Sequence, residues 1–197
     1  MNIFGVGGHA KVVVEAVILS GNTIHNIYDD DITTHGSLFC GYKIIGSINQ
    51  NIGGDSIIAI GNNNVRKKID TAIKNCTWQT IIHPSAIISK DALIGEGTIV
   101  MAGAIIQPGV TIGRHCIINT GASIDHDCEI GDFVHIAPKC GLAGGIRVGE
   151  GTIIGIGTNI IQYLEIGSWA TIGAGSTVIN DIPGNCIAMG SPAKIKG

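Results

Sequence analysis

Between residues 82 and 183, apolar side chains return every six residues, a spacing that neither a helix nor a plain alternating strand produces. These 102 residues divide into seventeen hexads without an insertion. The first position of each hexad is aliphatic, from Ile82, Ile88 and Ile94 through Leu142 and Val148 to Ile172 and Val178. The fifth is small or apolar, as at Ala86, Thr98, Cys116, Ala122, Cys128, Cys140 and Ser176. Glycine is frequent at the second and fourth positions, including Gly95, Gly97, Gly113, Gly131, Gly149, Gly151, Gly173 and Gly175. The pattern predicts a solenoid in which each hexad is one short strand and one corner. The branched residue fills the coil and the small one lets the chain pass near the axis. One hexad cannot bury its own apolar face, so stacking must supply the core. Corner glycines provide positive φ or room for close backbone approach.

The preceding residues read differently. Residues 1–6 form a buried strand, 5–9 a glycine-rich turn, and 10–20 a helix with Gly21 as its C-terminal stop. Residues 26–30 form a second strand that ends in two acids, and 55–60 a third. Gly61 and three asparagines then punctuate the chain before a helix from residue 65 to about 74. Strands alternating with helices predict a small Rossmann-like parallel α/β domain over residues 1–80. The β-helix occupies 81–197, and residues 76–83 link the two. Glycines at a strand-to-helix turn place backbone N–H groups where a phosphate could bind. Acids at the end of the second strand suit a ribose or base. Ala10 stands where a dinucleotide fingerprint has its third glycine, so the turn alone leaves nucleotide binding and a purely structural role both open.

Composition narrows the class. A net charge of −3 and an aromatic content of 4% argue against nucleic acid or an anionic membrane as a partner. No stretch is long and apolar enough to span a bilayer. His9, Lys11 and Glu15 interrupt the apolar N-terminus, so it does not read as a signal peptide, and a cytoplasmic location is expected. Of six cysteines, Cys116, Cys128 and Cys140 take fifth positions as small core residues, and no CxxC pair exists. No metal is expected.

A polar triplet interrupts the usual glycine-rich corner. Asp125, His126 and Asp127 occupy it, and His135 lies nine residues on. A histidine flanked by carboxylates is a candidate general base, because neutral imidazole accepts a proton near pH 7 and an acid can orient the ring. The alternative is a solvated polar corner. Of the other histidines, His25 and His35 read as surface residues, His83 as structural, and His115 as a corner residue.

The hexads resemble those of the hexapeptide-repeat acyltransferases. That resemblance implies a left-handed parallel β-helix of triangular section, three hexads to a turn, hence between five and six turns. The glycine-rich α/β half, the Asp-Asp strand end, the Ile60–Asn63 turn, the acid-His-acid-Cys corner and the closing Gly190-Ser-Pro-Ala-Lys194 together are similar to the sialic-acid and amino-sugar acetyltransferase family. Within it the chain looks most like enzymes that N-acetylate UDP-4-amino-4,6-dideoxy sugars of the bacillosamine type. The resemblance implies an acetyl-CoA-dependent acetyltransferase and a homotrimer with CoA between neighbouring β-helices. It makes His126 the base and Asp127 the residue that polarises it, although a compared member of the family carries Glu on both sides where this chain has Asp. It places His135 near the thioester, the Gly144 N–H on the thioester oxygen, and Gly155 and Gly173 along the CoA arm. Gly7, Gly8 and His9 would follow the nucleotide-sugar phosphates. Asp29 and Asp30 would reach the uridine, with Gly61 and Asn62 in the same pocket. An O-acetyltransferase of a sialic-acid-like sugar and a non-catalytic trimer that binds a nucleotide sugar are the alternatives.

Overall fold

The computed structural model describes residues 1–196. Its N-terminal half is a six-stranded sheet with two helices. Strand β1 (Asn2–Phe4) lies between β2 (Asn26–Tyr28) and β5 (Gly54–Ile58), parallel to both. Strand β6 (Cys76–Trp78) extends the β5 edge in parallel, and β4 (Tyr42–Gly46) extends the β2 edge. Strand β3 (Leu38–Phe39) is the exception, pairing antiparallel with β4. Cys40 and Gly41 connect β3 to β4 with φ of 48° and 86°, a tight turn in which Cys40 stands where Asn or Asp would usually signal a hairpin. The sheet is therefore mixed rather than wholly parallel, and residues 76–78 form its edge instead of serving as plain linker.

Both helices begin two residues earlier than the pattern indicates. Helix α1 (Gly8–Leu19) has Gly7 as its N-cap, which puts Gly8 and His9 in the first helical turn. It ends as expected: the Gly21 and Asn22 N–H groups donate back to Ile18 O and Val17 O, with Gly21 at φ 81°. Helix α2 (Asn63–Ala72) starts where the Asn62 side chain accepts the Val65 N–H at 3.1 Å.

Seventeen two-residue strands then follow at six-residue intervals, from β7 (Ile81–Ile82) to β23 (Thr177–Val178). Up to β20 (Asn159–Ile160) each pairs in parallel with the strand 18 residues on, as Ile99 does with both Ile81 and Ile117. Three strands therefore make a turn, and the coils number between five and six. The first face of the prism carries Ile81, Ile99, Ile117, His135, Ile153 and Thr171. The second face runs from Ile87 to Thr177, and the third from Leu93 to Glu165. Strand β24 (Ile187–Gly190) continues the first face and β25 (Ala193–Ile195) folds back against it. First- and fifth-position side chains, among them Val100, Ile106, Cys116, Ile118 and Ala122, fill the interior.

The corner glycines fall into two kinds. Every fourth position from Gly97 to Gly175 has positive φ, whether glycine or one of His115, Asp127, Phe133, Lys139, Tyr163 and Trp169. Second-position glycines are needed for contact instead. A Cβ at Gly149 would lie 2.5 Å from Ser168 N of the next coil, and one at Gly131 would lie 2.8 Å from Glu150 N. Gly157→Ala meets nothing within 4 Å but must hold φ 70°, and it should lose about 1–2 kcal/mol. Gly149→Ala presses on backbone and should lose about 3 kcal/mol or more. Denaturant midpoints check the order; equal losses would mean that the coils separate freely.

The α/β half covers the start of the first face. Ile81, Ile99 and Met101 join the core formed by Val13, Val17 and Ile57. Ile99 and Ile117 point outward from the solenoid yet are 1% and 0% exposed, whereas Leu93 on the third face is 66% exposed.

Candidate active site

The Asp125–Asp127 corner joins the second face to the third. Asp127 sits at φ 59°, and the bare Gly109 one coil below leaves it room, since a Cβ there would lie 2.5 Å from Asp127 Oδ1. Asp127 Oδ2 is 2.9 Å from His126 Nδ1. A carboxylate only accepts, so the bond puts the proton on Nδ1 and leaves the Nε2 lone pair free. The Asp127 hydrogen bond, together with the charges of Asp125 and Asp127, raises the His126 pKa above its ordinary value. Asp125 Oδ1 accepts the His126 backbone N–H at 2.8 Å and so shapes the corner itself. On the next coil Gly144 lies flat against the imidazole, where a Cβ would be 2.5 Å from both Cε1 and Nε2. The Gly145 N–H donates to His126 O, while the Gly144 N–H has no backbone acceptor among the described residues. A base, the acid that orients it and a free N–H thus share one edge.

A second group assembles on the first face. The His9 and His135 rings lie 6.3 Å apart, one from α1 and one from the solenoid. Asn119 Nδ2 donates to His135 Nε2 at 3.1 Å. His9 Nε2 is buried without a partner. Burial pushes both histidines down to about 4, with the Arg66 charge adding to it, so both are neutral at physiological pH. Asn119 escaped the sequence reading. Its signal is a polar side chain at a second position, one coil below the column that Ala137, Gly155 and Gly173 continue.

The remaining glycines separate by what surrounds them. A Cβ on Gly7, Gly8 or Gly61 would meet nothing within 4 Å, and none of the three has positive φ. The fold does not require glycine there, but a ligand approaching the start of α1 would. A Cβ on Gly155 or Gly173 would instead strike the next coil at 2.6 Å, so coil stacking already accounts for both. Asp29 binds the Val6 and Asp31 N–H groups, and Asp30 binds the Ile48 N–H. These carboxylates brace the loops around the glycine turn.

His115 is not a surface corner. It is fully buried, stacks on Phe133, meets Trp78 edge-on and holds Asp70 Oδ1 through Nε2 at 3.1 Å. The sequence marks it as a corner residue, and nothing local shows that the α/β half closes over that corner. The core thiols are not candidate nucleophiles: burial pushes Cys116 up to about 12 and raises Cys128 and Cys140. Among the described residues no three His, Cys, Asp or Glu converge to hold a metal, and no helix is long and apolar enough to cross a membrane.

His126 lies on the edge opposite the first face. One chain therefore does not bring the His126–Asp127–Gly144 group together with the His9–His135–Asn119 group.

The fold is that of a hexapeptide-repeat transferase. Residues 1–73 match the PglD N-terminal domain, and residues 91–126 and 109–144 match the bacterial transferase hexapeptide (six repeats). A perosamine N-acetyltransferase from Caulobacter crescentus, solved with CoA and GDP-perosamine, is 38% identical with a TM-score of 0.91, covering 100% of this chain and 96% of that one. The acetyltransferase domain of PglB from Neisseria gonorrhoeae, in complex with acetyl coenzyme A, is 37% identical with a TM-score of 0.90, covering 99% and 98%. UDP-N-acetylbacillosamine N-acetyltransferase of Bacillus subtilis is 43% identical over 104 residues, which are 49% of this chain and 48% of that enzyme. An uncharacterized mimivirus protein matches over 19% of its own length, so the chain spans about half or less of the curated relatives it matches. The chain belongs to the family of CoA-dependent N-acetyltransferases of nucleotide-linked amino sugars.

Proposed function

We propose that this protein transfers the acetyl group of acetyl-CoA to the 4-amino group of a nucleotide-linked 4-amino-4,6-dideoxy sugar, with His126 as general base. The observation that carries the reading is the free Nε2 of His126, oriented by Asp127 and lying against Gly144. The base takes a proton from the amine as nitrogen attacks the thioester carbonyl. The Gly144 N–H then faces the oxyanion of the tetrahedral intermediate, a contact worth about 3 kcal/mol. Collapse expels the CoA thiolate, which takes the proton held by His126 and leaves as the thiol. No acyl-enzyme is formed.

In this reading the α/β half is the nucleotide-sugar domain, with Gly7, Gly8, His9, Asp29, Asp30, Gly61 and Asn62 along the ligand. His135 meets the thioester, and Gly155 and Gly173 flank the CoA arm. Because His126 and His135 lie on opposite sides of one prism, the site is completed between copies, in a homotrimer whose seams each take a base from one chain and a sugar domain from the next. The nucleotide is UDP, by likeness to the Bacillus enzyme; the Caulobacter relative brings GDP into the comparison as well. The reaction belongs in the cytoplasm, where acetyl-CoA is made.

The test is thiol release from acetyl-CoA with UDP-, dTDP- and GDP-linked 4-amino sugars and a free sialic acid. Release with an amino nucleotide sugar alone is expected. Release with sialic acid alone would establish O-acetylation, and silence throughout would return the chain to a binding role. Sedimentation of the intact protein checks the trimer.

A further inference from the structure

Asn63 and Arg66 lie one turn apart on the face of α2 that packs against the solenoid, at 2% and 1% exposure. Arg66 Nη1 donates to Ile60 O at 3.1 Å and Gly61 O at 3.0 Å. Its Nε donates to His115 O at 3.0 Å, and Nη2 to Phe133 O at 2.9 Å. Asn63 Nδ2 donates to Gly151 O at 2.9 Å and Thr152 O at 3.3 Å. Residues 115, 133 and 151 are the same corner on three successive coils. Two side chains therefore tie the Ile60–Gly61 turn and the first turn of α2 to three coils at once.

No carboxylate pairs with Arg66. The neighbouring Asp70 is taken by His115 at 3.1 Å and Arg114 at 2.8 Å. Burying a guanidinium without a counter-ion is costly, and a contact needed only for stability is served as well or better by apolar side chains. What arginine adds is a rigid planar fork that bonds several carbonyls in set directions. The carbonyls it bonds are those of the turn where glycine leaves open space, of the corner two residues before His135, and of the same corner one coil below.

We propose that Arg66 and Asn63 are positioning residues, holding the Gly61–Asn62 turn, and through it the nucleotide sugar, in register with the solenoid coil that carries His135. The inference rests on the nucleotide-sugar reading of the α/β half. It is tested with Arg66→Lys and Asn63→Ala in the full chain, by steady-state kinetics with each substrate varied, calorimetric binding of the nucleotide sugar and thermal unfolding. A turn that is bound but misplaced should raise the nucleotide-sugar KM about 30-fold in Arg66→Lys and about 5-fold in Asn63→Ala, with kcat and the acetyl-CoA KM changed less than about threefold. Calorimetric Kd should move with KM. Lower stability with an unchanged nucleotide-sugar KM would reduce both residues to structural ties and overturn the proposal, as would a fall in kcat alone. If Arg66→Lys does not fold, Asn63→Ala decides by the same criteria. A wild type that binds no nucleotide sugar would sink the functional reading and this inference with it. A wild type that binds, beside variants that bind equally well, sinks only the inference.

Discussion

His126→Ala should lose roughly 10²–10⁴-fold in kcat while the nucleotide-sugar Kd changes little, because in the proposed reaction the imidazole acts on the amine proton rather than on the nucleotide. The pH dependence carries the mechanism. A base works when neutral, so kcat/KM rises with pH through the His126 pKa, which the Asp127 hydrogen bond and the adjacent acids hold above the ordinary histidine value. In Asp127→Asn that stabilisation of the imidazolium goes, and the acid limb of the profile moves to lower pH. The maximal rate should fall as well, because the amide can turn its NH2 toward Nδ1 and favour the tautomer that carries the proton on Nε2. His9 and His135, pushed to about 4, are neutral across the same range and do not shape that limb. A His126→Ala enzyme with ordinary turnover would remove His126 from the reaction. An acid limb unmoved by Asp127→Asn would assign the titration to another group.

Gly144→Ala is the second large effect, and it separates sterics from backbone conformation. Gly144 has no positive φ, so alanine is conformationally acceptable there; the obstacle is the His126 ring 2.5 Å from the new Cβ. The ring is half exposed and can swing, which spares the fold but turns Nε2 away from the amine. The methyl also crowds the N–H proposed for the oxyanion. A displacement of about 1 Å at a reacting group is enough for roughly 10²-fold in rate, so kcat should fall at least that far with little change in unfolding midpoint. Retained activity would mean that neither the ring position seen here nor the Gly144 N–H matters to turnover.

The Asp125–Asp127 corner was legible because a histidine stands there between two carboxylates, where many corners of the solenoid carry glycine. Gly144 was named only through family likeness; the structure places it one coil on from His126, against the imidazole. Asn119 and the Arg66 clamp were not read, although a faint signal existed. Sixth-position residues face outward, and along the first face they run Ile81, Ile99, Ile117, whereas the third face carries Thr111, Glu129, Arg147 and Glu165. An aliphatic outward column announces a covered face, but only once residues are sorted by turn of 18 rather than by hexad. Arg66 reads locally as an ordinary helix-surface cation, because its carbonyl partners at 115 and 133 lie far along the chain.

The amino-acid sequence by itself determined the solenoid, its seventeen hexads and the corner that bears the candidate base. Those features repeat with a short period, and each hexad meets its neighbours through the same apolar and glycine positions. Tertiary structure alone decided which face the α/β half covers, that His9 meets His135, that Arg66 and His115 are buried, and that the two candidate groups lie on opposite sides of one chain. Those contacts join residues 45 to 126 positions apart, and they follow from how two differently built halves pack, which no local period encodes.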